Sequence, residues 1–390
     1  MTYEGNCRLG ELFSSRRENG REGLPTLSVT ISDGLVNRED LDRKQDTNLA
    51  PEDHLLVRPG DIAYNMMRMW QGASGLASYE GMVSPAYVVL RAKNGIDPLY
   101  ASYLFKTQRM LYLFWAYSYG LTEDRLRLYF QDFCRIQITI PPKPEQTRIA
   151  TILTDWDSAI ATAEKLLFKT SELKAQLAKH LLSGEIKLSG HTSSWETRTL
   201  GDVADVCMGS SPDSSTYNDK GNGLPLIQGN ADIQDRVSSP KIFTSGVTRE
   251  CFPGDILLSV RAPVGQVSRC IHHACLGRGM AAIRPEEGMS PAYLYQVLIN
   301  SETKWAKLSQ GSTFDAVTAK EVKKQKLRTP TYQKEQDDIA AVLGIADQKI
   351  CRLTTDIQLL RAEKLSLMQQ LIGGKRRAKA KAPIEGVSIA

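Results

Sequence analysis

A chain of 390 residues with 42% hydrophobic and 24% charged side chains is long enough for two or three cores and has neither a disordered nor a collagen-like composition. No run approaches the roughly 18 apolar residues of a membrane span, residues 1–10 lack the apolar stretch of a secretory leader, and seven scattered cysteines do not suit a disulfide-stapled secreted domain, so a cytoplasmic location is expected. Of the net charge of +5, Lys375, Arg376, Arg377, Lys379 and Lys381 against Glu385 supply four, so a nucleic-acid surface elsewhere must come from locally segregated basic side chains.

In chain order, residues 24–29, 61–64 and 86–90 are short apolar runs cut by Gly, Pro and Asn and are expected as strands, followed by a helical patch over 100–114. Trp115 and the run from Met110 to Phe114 are expected to pack into a core. From 145 to 182 the pattern changes to one long helix: Ile149, Leu153, Trp156, Ile160, Ala163, Leu167, Thr170, Leu177 and Leu181 recur at spacings of three, four or seven, close to a heptad seam. Pro144 can open this helix because no intrahelical N–H is needed there, and Gly184 can close it. Such a rod is roughly 57 Å long at about 1.5 Å per residue and needs a partner along its length.

The second half repeats the plan. Strand runs at 224–230, 255–260 and 279–284 precede a helical patch over 291–308, and the loop at 209–223, rich in Ser, Asp, Asn and Gly, is much longer than its counterpart near 16–23. A second seam follows through Ile339, Leu343, Ala346, Ile350, Leu353, Ile357, Leu360, Leu367 and Leu371, ended by Gly373-Gly374. The repetition is visible in Pro59-Gly60-Asp61-Ile62 and Pro253-Gly254-Asp255-Ile256, in Gly120-Leu121-Thr122 and Gly311-Ser312-Thr313, and in Glu145-Gln146 and Glu335-Gln336. From 145 onward the offset holds constant, pairing Asp157 with Asp347 and Lys174 with Lys364. A constant offset marks helices that accept no insertion, and two matched seams in one chain are expected to pack side by side with approximate two-fold symmetry; pairing with a second chain is the alternative. The expected class is α+β, two mixed α/β domains each followed by a long helix.

Catalytic signatures are sparse. A glycine-rich cofactor turn with Asn-Pro-Pro-Tyr, and a phosphate loop, are both missing from the sequence; Gly373-Gly374-Lys375 reads as a helix end. Glu185-Ile186-Lys187 and Glu321-Val322-Lys323 are formally Glu-x-Lys, without a preceding strand carrying the second acid of a nuclease. Cys270-Ile271-His272-His273-Ala274-Cys275 offers zinc-type ligands, yet no second ligand pair stands at a defined spacing, so a half-buried strand and turn is the better reading. No metal is expected, and the pattern points to recognition.

The repeated motifs, Gly209-Ser210-Ser211-Pro212 followed by 224–229, and Phe252-Pro253-Gly254-Asp255 with Pro263-Val264-Gly265, resemble over essentially the whole chain the specificity subunit of a type I restriction-modification system. The resemblance implies a first target-recognition domain over 1–142, a first spacer helix over 143–184, a second recognition domain over 185–331, a second spacer helix over 332–374 and a basic, flexible tail over 375–390. It implies that the helices pack antiparallel as an intramolecular coiled coil, and that each domain reads one half of a bipartite double-stranded DNA target. Methylation subunits, two in number, and restriction subunits would be the partners. S-adenosylmethionine, ATP and Mg2+ would serve those partners, with no cofactor in this chain. The first domain departs from the pattern in lacking the Gly-x-x-Pro opening. A protein-binding adaptor, or a divergent DNA methyltransferase or nuclease, is the alternative.

Reading duplex DNA takes donors and acceptors at base edges and cationic or amide donors on phosphates. In the first domain the candidates are Arg16, Arg17, Arg21, Asn37, Arg38, Arg43, Lys44, Asn65, Arg68 and Gln71. In the second they are Ser214, Tyr217, Asn218, Lys220, Gln228, Asn230, Gln234, Arg236, Lys241, Arg249, Arg261 and Arg269. Arg68 and Arg261 are preferred, because each follows its Pro-Gly-Asp strand by a few residues. The long helices are expected to act as a ruler that sets an unread spacer between the half-sites.

Overall fold

The Pro-Gly-Asp-Ile motif makes the same turn twice. The Asp61 amide donates to the Arg58 carbonyl at 2.9 Å and the Asp255 amide to the Phe252 carbonyl at 3.0 Å, with Gly60 and Gly254 at φ +88° and +99°. Proline presets the first corner and glycine takes the left-handed second one without a Cβ clash. Both aspartates are buried and cap their own turns, Asp61 accepting from the Arg58 N–H at 2.9 Å and Asp255 from the Phe252 N–H at 2.8 Å. A guanidinium neutralises each: Arg16 reaches Asp61 at 2.7 Å, and Arg284 binds both oxygens of Asp255 at 2.8 Å.

The computed structural model describes residues 5–41, 49–122, 125–305 and 316–378. These form two units: one takes the chain to Ala163 and again from Asp356, the other takes Glu164–Thr355. In the first, strands β1 (Phe13–Arg16), β2 (Ile62–Asn65), β3 (Ser74–Leu76) and β4 (Tyr87–Ala92) form an antiparallel sheet in the order β1-β4-β2-β3. In the second, β5 (Ala204–Met208), β6 (Ile256–Ser259), β7 (Val267–Arg269) and β8 (Met280–Pro285) repeat that order as β5-β8-β6-β7, and Val237–Ser238 and Ile233–Gln234 extend the sheet. Ile62 pairs with Leu90 as Ile256 pairs with Ile283, so Asn65 corresponds to Ser259 and Tyr87 to Met280. Among the described residues a five-stranded sheet, Tyr217–Asn218, Ile242–Thr244, Leu224–Ile227, Ala274–Leu276 and Glu250–Cys251, is found in the second unit alone.

The patch expected as one helix over 100–114 is two, Pro98–Leu104 and Gln108–Ala116, because the Thr107 hydroxyl caps a fresh start by accepting from the Met110 N–H. Met110 and Phe114, four apart, face the core, where Phe13, Phe105, Phe114 and Phe133 meet at 5.4–6.2 Å between ring centroids. Tyr112 and Trp115 are on the other face, 64% and 46% exposed with rings 6.0 Å apart, so the core placement expected for Trp115 is corrected. In the second unit the described part of the patch expected over 291–308 contains the helix Pro291–Asn300, capped by Ser290, and 306–308 lie outside the described residues.

The two long helices are Lys143–Ser183 and Gln333–Ile372, and both run unbroken from one unit into the other. Within the first unit Ile149, Ala150 and Leu153 share a core with Met368, Leu371 and Ile372; within the second, Ala178, Leu181 and Leu182 share one with Ile339, Ala340 and Leu343. The early part of one helix meets the late part of the other, so the pair is antiparallel in each unit. Along the seams Ile149, Leu153, Ile160, Leu181, Ile339, Leu343, Leu353, Ile357 and Leu371 are buried, and Trp156, Leu167, Leu177, Ile350, Leu360 and Leu367 are half-buried. Lys364 meets Asp157 at 2.5 Å and Lys174 meets Asp347 at 2.5 Å, the same pair with the repeats exchanged. The second oxygen of each aspartate accepts from its own domain, from the Tyr103 hydroxyl at 2.6 Å and from Gln296 at 2.7 Å. Burial, with the bond to Asp157, pushes the Tyr103 phenol up to about 12.

Glu-Gln at each helix start is a clamp. Gln146 accepts from the Asp97 N–H at 2.9 Å and donates to the carbonyls of Gly95 and Pro141 at 3.2 and 2.8 Å. Gln336 does the same with the Ser290 N–H at 2.8 Å and the carbonyls of Gly288 and Pro330 at 3.2 and 3.0 Å. The neighbouring glutamates hold the chain that leaves the other long helix. Glu145 accepts from the Ala378 N–H at 3.2 Å and pairs with Arg377 at 2.9 Å, while Glu335 accepts from the Ser193 hydroxyl and from the Trp195 indole at 3.2 Å. The rest of the basic tail, 379–390, Lys44, Arg43 and Gly311-Ser312-Thr313 lie outside the described residues.

Both helices end in a left-handed glycine, Gly184 at φ +72° and Gly374 at φ +71°, with the N–H of Ile186 donating to the His180 carbonyl and that of Arg376 to the Gln370 carbonyl. A Cβ at Gly184 would lie 2.9 Å from the Trp195 ring, whereas one at Gly190, φ +88°, meets nothing within 4 Å. Gly184→Ala is therefore expected to lower stability in urea unfolding of the whole chain by roughly 2–4 kcal/mol, and Gly190→Ala by about 1 kcal/mol; equal losses would discount the Trp195 contact. Gln146→Leu removes the partner of three backbone groups, among them the buried Pro141 carbonyl, and is expected to cost on the order of 2 kcal/mol; a loss below about 1 kcal/mol in the same assay would remove the clamp's importance.

Candidate nucleic-acid interface

In both units the strand after the Pro-Gly-Asp turn runs out at a cleft. In the second unit the cleft encloses about 560 Å³ beyond the end of β6 and the start of β8. Three pieces of backbone build it: the Gly209–Pro212 entry with Ser214 and Tyr217, the turn Gln228-Gly229-Asn230, and the pair Arg261 and Arg278 from the two loops flanking the central strands. Glycines set the fit. A Cβ at Gly279 would stand 2.2 Å from the Gln228 carbonyl oxygen and one at Gly277 2.9 Å from the Gln228 Cα, so glycine on both sides of Arg278 presses that loop against the Gln228 turn.

The amides in this cleft are oriented by their partners. Asn230 donates through Nδ2 to the Pro263 carbonyl at 3.0 Å, and Gln228 donates through Nε2 at 2.9 Å to the Tyr217 hydroxyl, whose own hydrogen goes to the Pro212 carbonyl at 3.3 Å. Their carbonyl oxygens are thereby left facing away from those contacts as acceptors. Among the described residues neither Arg261 nor Arg278 has a side-chain acceptor, and no carboxylate lines the cleft.

The first unit places a cleft of about 580 Å³ at the corresponding sheet end, with a different lining: Arg17, Met66, Tyr87, Tyr119, Tyr129 and Gln131. Tyr119 and Tyr129, 57% and 38% exposed, have rings 5.7 Å apart, and the Tyr119 hydroxyl donates to Asp132 at 2.8 Å, a bond that raises its pKa.

The structure thus brings Tyr217, Gln228, Asn230 and Arg261 together and sets Arg17 in the other cleft. Other candidates are committed elsewhere. Arg16 is buried on Asp61 and Glu18, with its pKa raised by the Asp61 bond. Arg236 is held by Glu302 at 2.5 and 3.0 Å and by the Val267 carbonyl, and Glu302 raises its pKa. Arg269 lies 4.2 Å over the Tyr295 ring, and half-buried Arg38 is partnered. Asn65 accepts from the Met67 N–H at 3.0 Å and Asn218 organises the 218–222 turn, accepting from Lys220 and Asn222. Arg68, Gln71, Lys220 and Lys241 are exposed outside the two clefts. Arg278 was passed over by the sequence reading, although Gly277-Arg278-Gly279 is the signal of a backbone pressed against a neighbour. So were Tyr119 and Tyr129, which come from a segment with no periodicity.

The zinc-type run is spent on packing. Cys270 lies 3.6 Å from Cys251, both buried, and their contact holds Cys270 below and pushes Cys251 above the ordinary thiol range. His272 contacts Ser238 at 2.7 Å and His273 contacts Glu250 at 2.6 Å. Among the described residues no group of three His, Cys, Asp or Glu side chains could hold a metal ion, and no helix is long and apolar enough to cross a membrane.

The model of the type I restriction modification DNA specificity domain matches the chain twice, over residues 9–169 and 192–360. A Methanocaldococcus jannaschii protein named for the MjaX type I restriction enzyme specificity subunit is 27% identical over 388 residues, covering 94% of this chain and 90% of that one. In fold the chain is similar to the HsdS subunit from Thermoanaerobacter tengcongensis, with 24% identity, 95% and 97% coverage and a TM-score of 0.51. It is also similar to the type I restriction-modification S subunit from M. genitalium, with 16% identity, 94% and 96% coverage and a TM-score of 0.63. A family match that recurs once on each half, over the same sheet and the same long helix, makes this chain a member of the type I restriction-modification DNA specificity family.

Proposed function

We propose that each unit reads one half of a bipartite duplex DNA target and that the chain directs the methylation and restriction subunits of a type I complex to it. As a specificity subunit the chain performs no catalysis. One observation carries the reading: the same four-strand frame occurs twice and ends each time in a cleft, while the side chains lining the two clefts differ. A shared frame with unlike linings is what two readers of unlike sequences require, since phosphate contacts give register and the groove-facing side chains give identity. Methyl transfer from S-adenosylmethionine to the DNA, and ATP- and Mg2+-dependent cleavage, belong in this reading to the partner subunits, with two methylation subunits per chain to match the duplicated helices. The recognition domains are proposed as 1–142 and 185–331, with spacer helices over 143–184 and 332–374.

Replacing residues 1–142 with the corresponding domain of a relative is expected to change one half-site and leave the other intact, measured by selection from random duplexes with the methylation partner present. Simultaneous loss of both half-sites from a folded hybrid would count against independent readers, and no sequence preference in any assembly would favour the protein-binding adaptor. The interval between half-sites is proposed to depend on the two helices that pass from unit to unit. One heptad added to both should lengthen the preferred interval, and an unchanged interval would end the ruler idea.

A further inference from the structure

Resting on that reading, we propose that the half-site read by the second unit contains guanine, recognised by Arg261 and Arg278, and that the two residues act as one specificity determinant. Arginine in a recognition protein can serve a phosphate or a base, and the composition of the cleft separates the two. A phosphate presents acceptors only, so a cleft built for it is lined with donors and repels exposed amide oxygens. This cleft sets two guanidiniums beside the amides of Gln228 and Asn230, each of which spends one N–H, on Tyr217 or on the Pro263 carbonyl, and keeps its carbonyl oxygen as an acceptor. In the major groove a G·C pair offers that complement: N7 and O6 of guanine accept from a guanidinium fork, and the N4 amino group of cytosine donates to a carbonyl oxygen.

Among the described residues both guanidiniums are available: Arg236 is held by Glu302, Arg284 by Asp255 and Arg269 by Tyr295, whereas no described carboxylate lines the cleft that holds Arg261 and Arg278. Their backbones are also fixed. Arg261 forms a bridge with Ala316, and Arg278 stands between the two glycines that press against Gln228, its N–H reaching the Ser211 hydroxyl at 3.4 Å. A fork held by a fixed backbone loses less freedom on binding than one on a free loop. Among the described residues the corresponding cleft in the first unit carries a single arginine, Arg17, among tyrosines and Met66, so this donor and acceptor set belongs to the second half-site.

The test uses the complete chain with its methylation partner. Selection from random duplexes is expected to return a guanine in the half-site that changes when residues 185–331 are exchanged. Replacing that guanine by 7-deazaguanine, which removes N7, keeps O6 and leaves the protein untouched, should weaken binding by up to roughly 10-fold, about half the free energy of a bidentate base contact. Arg261→Ala and Arg278→Ala should each relax the preference at one position; both side chains are exposed, so folding is not at stake. A second half-site without guanine, or variants that weaken every sequence evenly and shallow the salt dependence while keeping base preference, would overturn the guanine assignment and leave the reading of DNA by this unit standing. If exchange of 185–331 alters neither half-site, the reading itself fails, and this proposal with it.

Discussion

A buried glutamine one turn into each long helix holds the molecule's two levels of structure together. Three backbone groups of the preceding domain, an N–H and two carbonyls, have no partner within a strand or helix, and Gln146 and Gln336 each satisfy all three with one amide. No other uncharged side chain of that reach offers one acceptor and two donors in a plane, which is why the two positions carry the same residue. The direction of each long helix relative to its own domain is fixed by that contact. The adjoining glutamates then fasten the segment emerging from the opposite helix, so that in each unit a helix start, a helix exit and a domain edge meet within a few residues.

The pairing of the helices follows the same economy. Lysines at 174 and 364 and aspartates at 157 and 347 are equivalent positions in the two repeats, and antiparallel packing brings each lysine to the other repeat's aspartate. Because the pair is partly exposed, its energy is modest, on the order of 1 kcal/mol or less for each contact. Its effect is on register: a slip by one turn would separate both lysines from both aspartates and lift Ile149, Leu153, Ile339 and Leu343 out of the cores in which they are buried. The apolar seam supplies most of the stability and the charges select one alignment.

Against that constant frame the clefts vary without structural cost. The buried aspartate of the Pro-Gly-Asp turn needs a guanidinium, but the frame is indifferent to which strand provides it: Arg16 of β1 serves Asp61, and Arg284 of β8 serves Asp255. Residues beyond the ends of the central strands are further removed from any such demand. Arg261 and Arg278 in one unit and Tyr129 in the other neither fill the core nor neutralise a buried charge and are free to differ, whereas Tyr119 gives its hydroxyl to the buried Asp132. Side chains at these cleft positions can thus change without disturbing the shared frame.

Periodicity and repetition by themselves determined the long helices, their ends, their duplication and the mixed character of the domains before each, because a 3.6-residue repeat of apolar side chains, a proline at a helix start and a glycine past its end act through local geometry. The Glu-Gln and Pro-Gly-Asp pairs were legible as repeats, though not as a clamp and a buried ion pair, since Asp97 and Ser290, and Arg16 and Arg284, lie tens of residues away from them. The break at Thr107 and the outward face of Trp115 depended on which side of a short helix meets the core, a question periodicity over nine residues does not answer. The clefts belonged to the tertiary structure alone. An arginine in a sequence carries the same charge whether it faces a carboxylate or solvent, and only the packing revealed that Arg16 and Arg236 are occupied while Arg261 and Arg278 share a cavity without a counter-ion among its described lining residues.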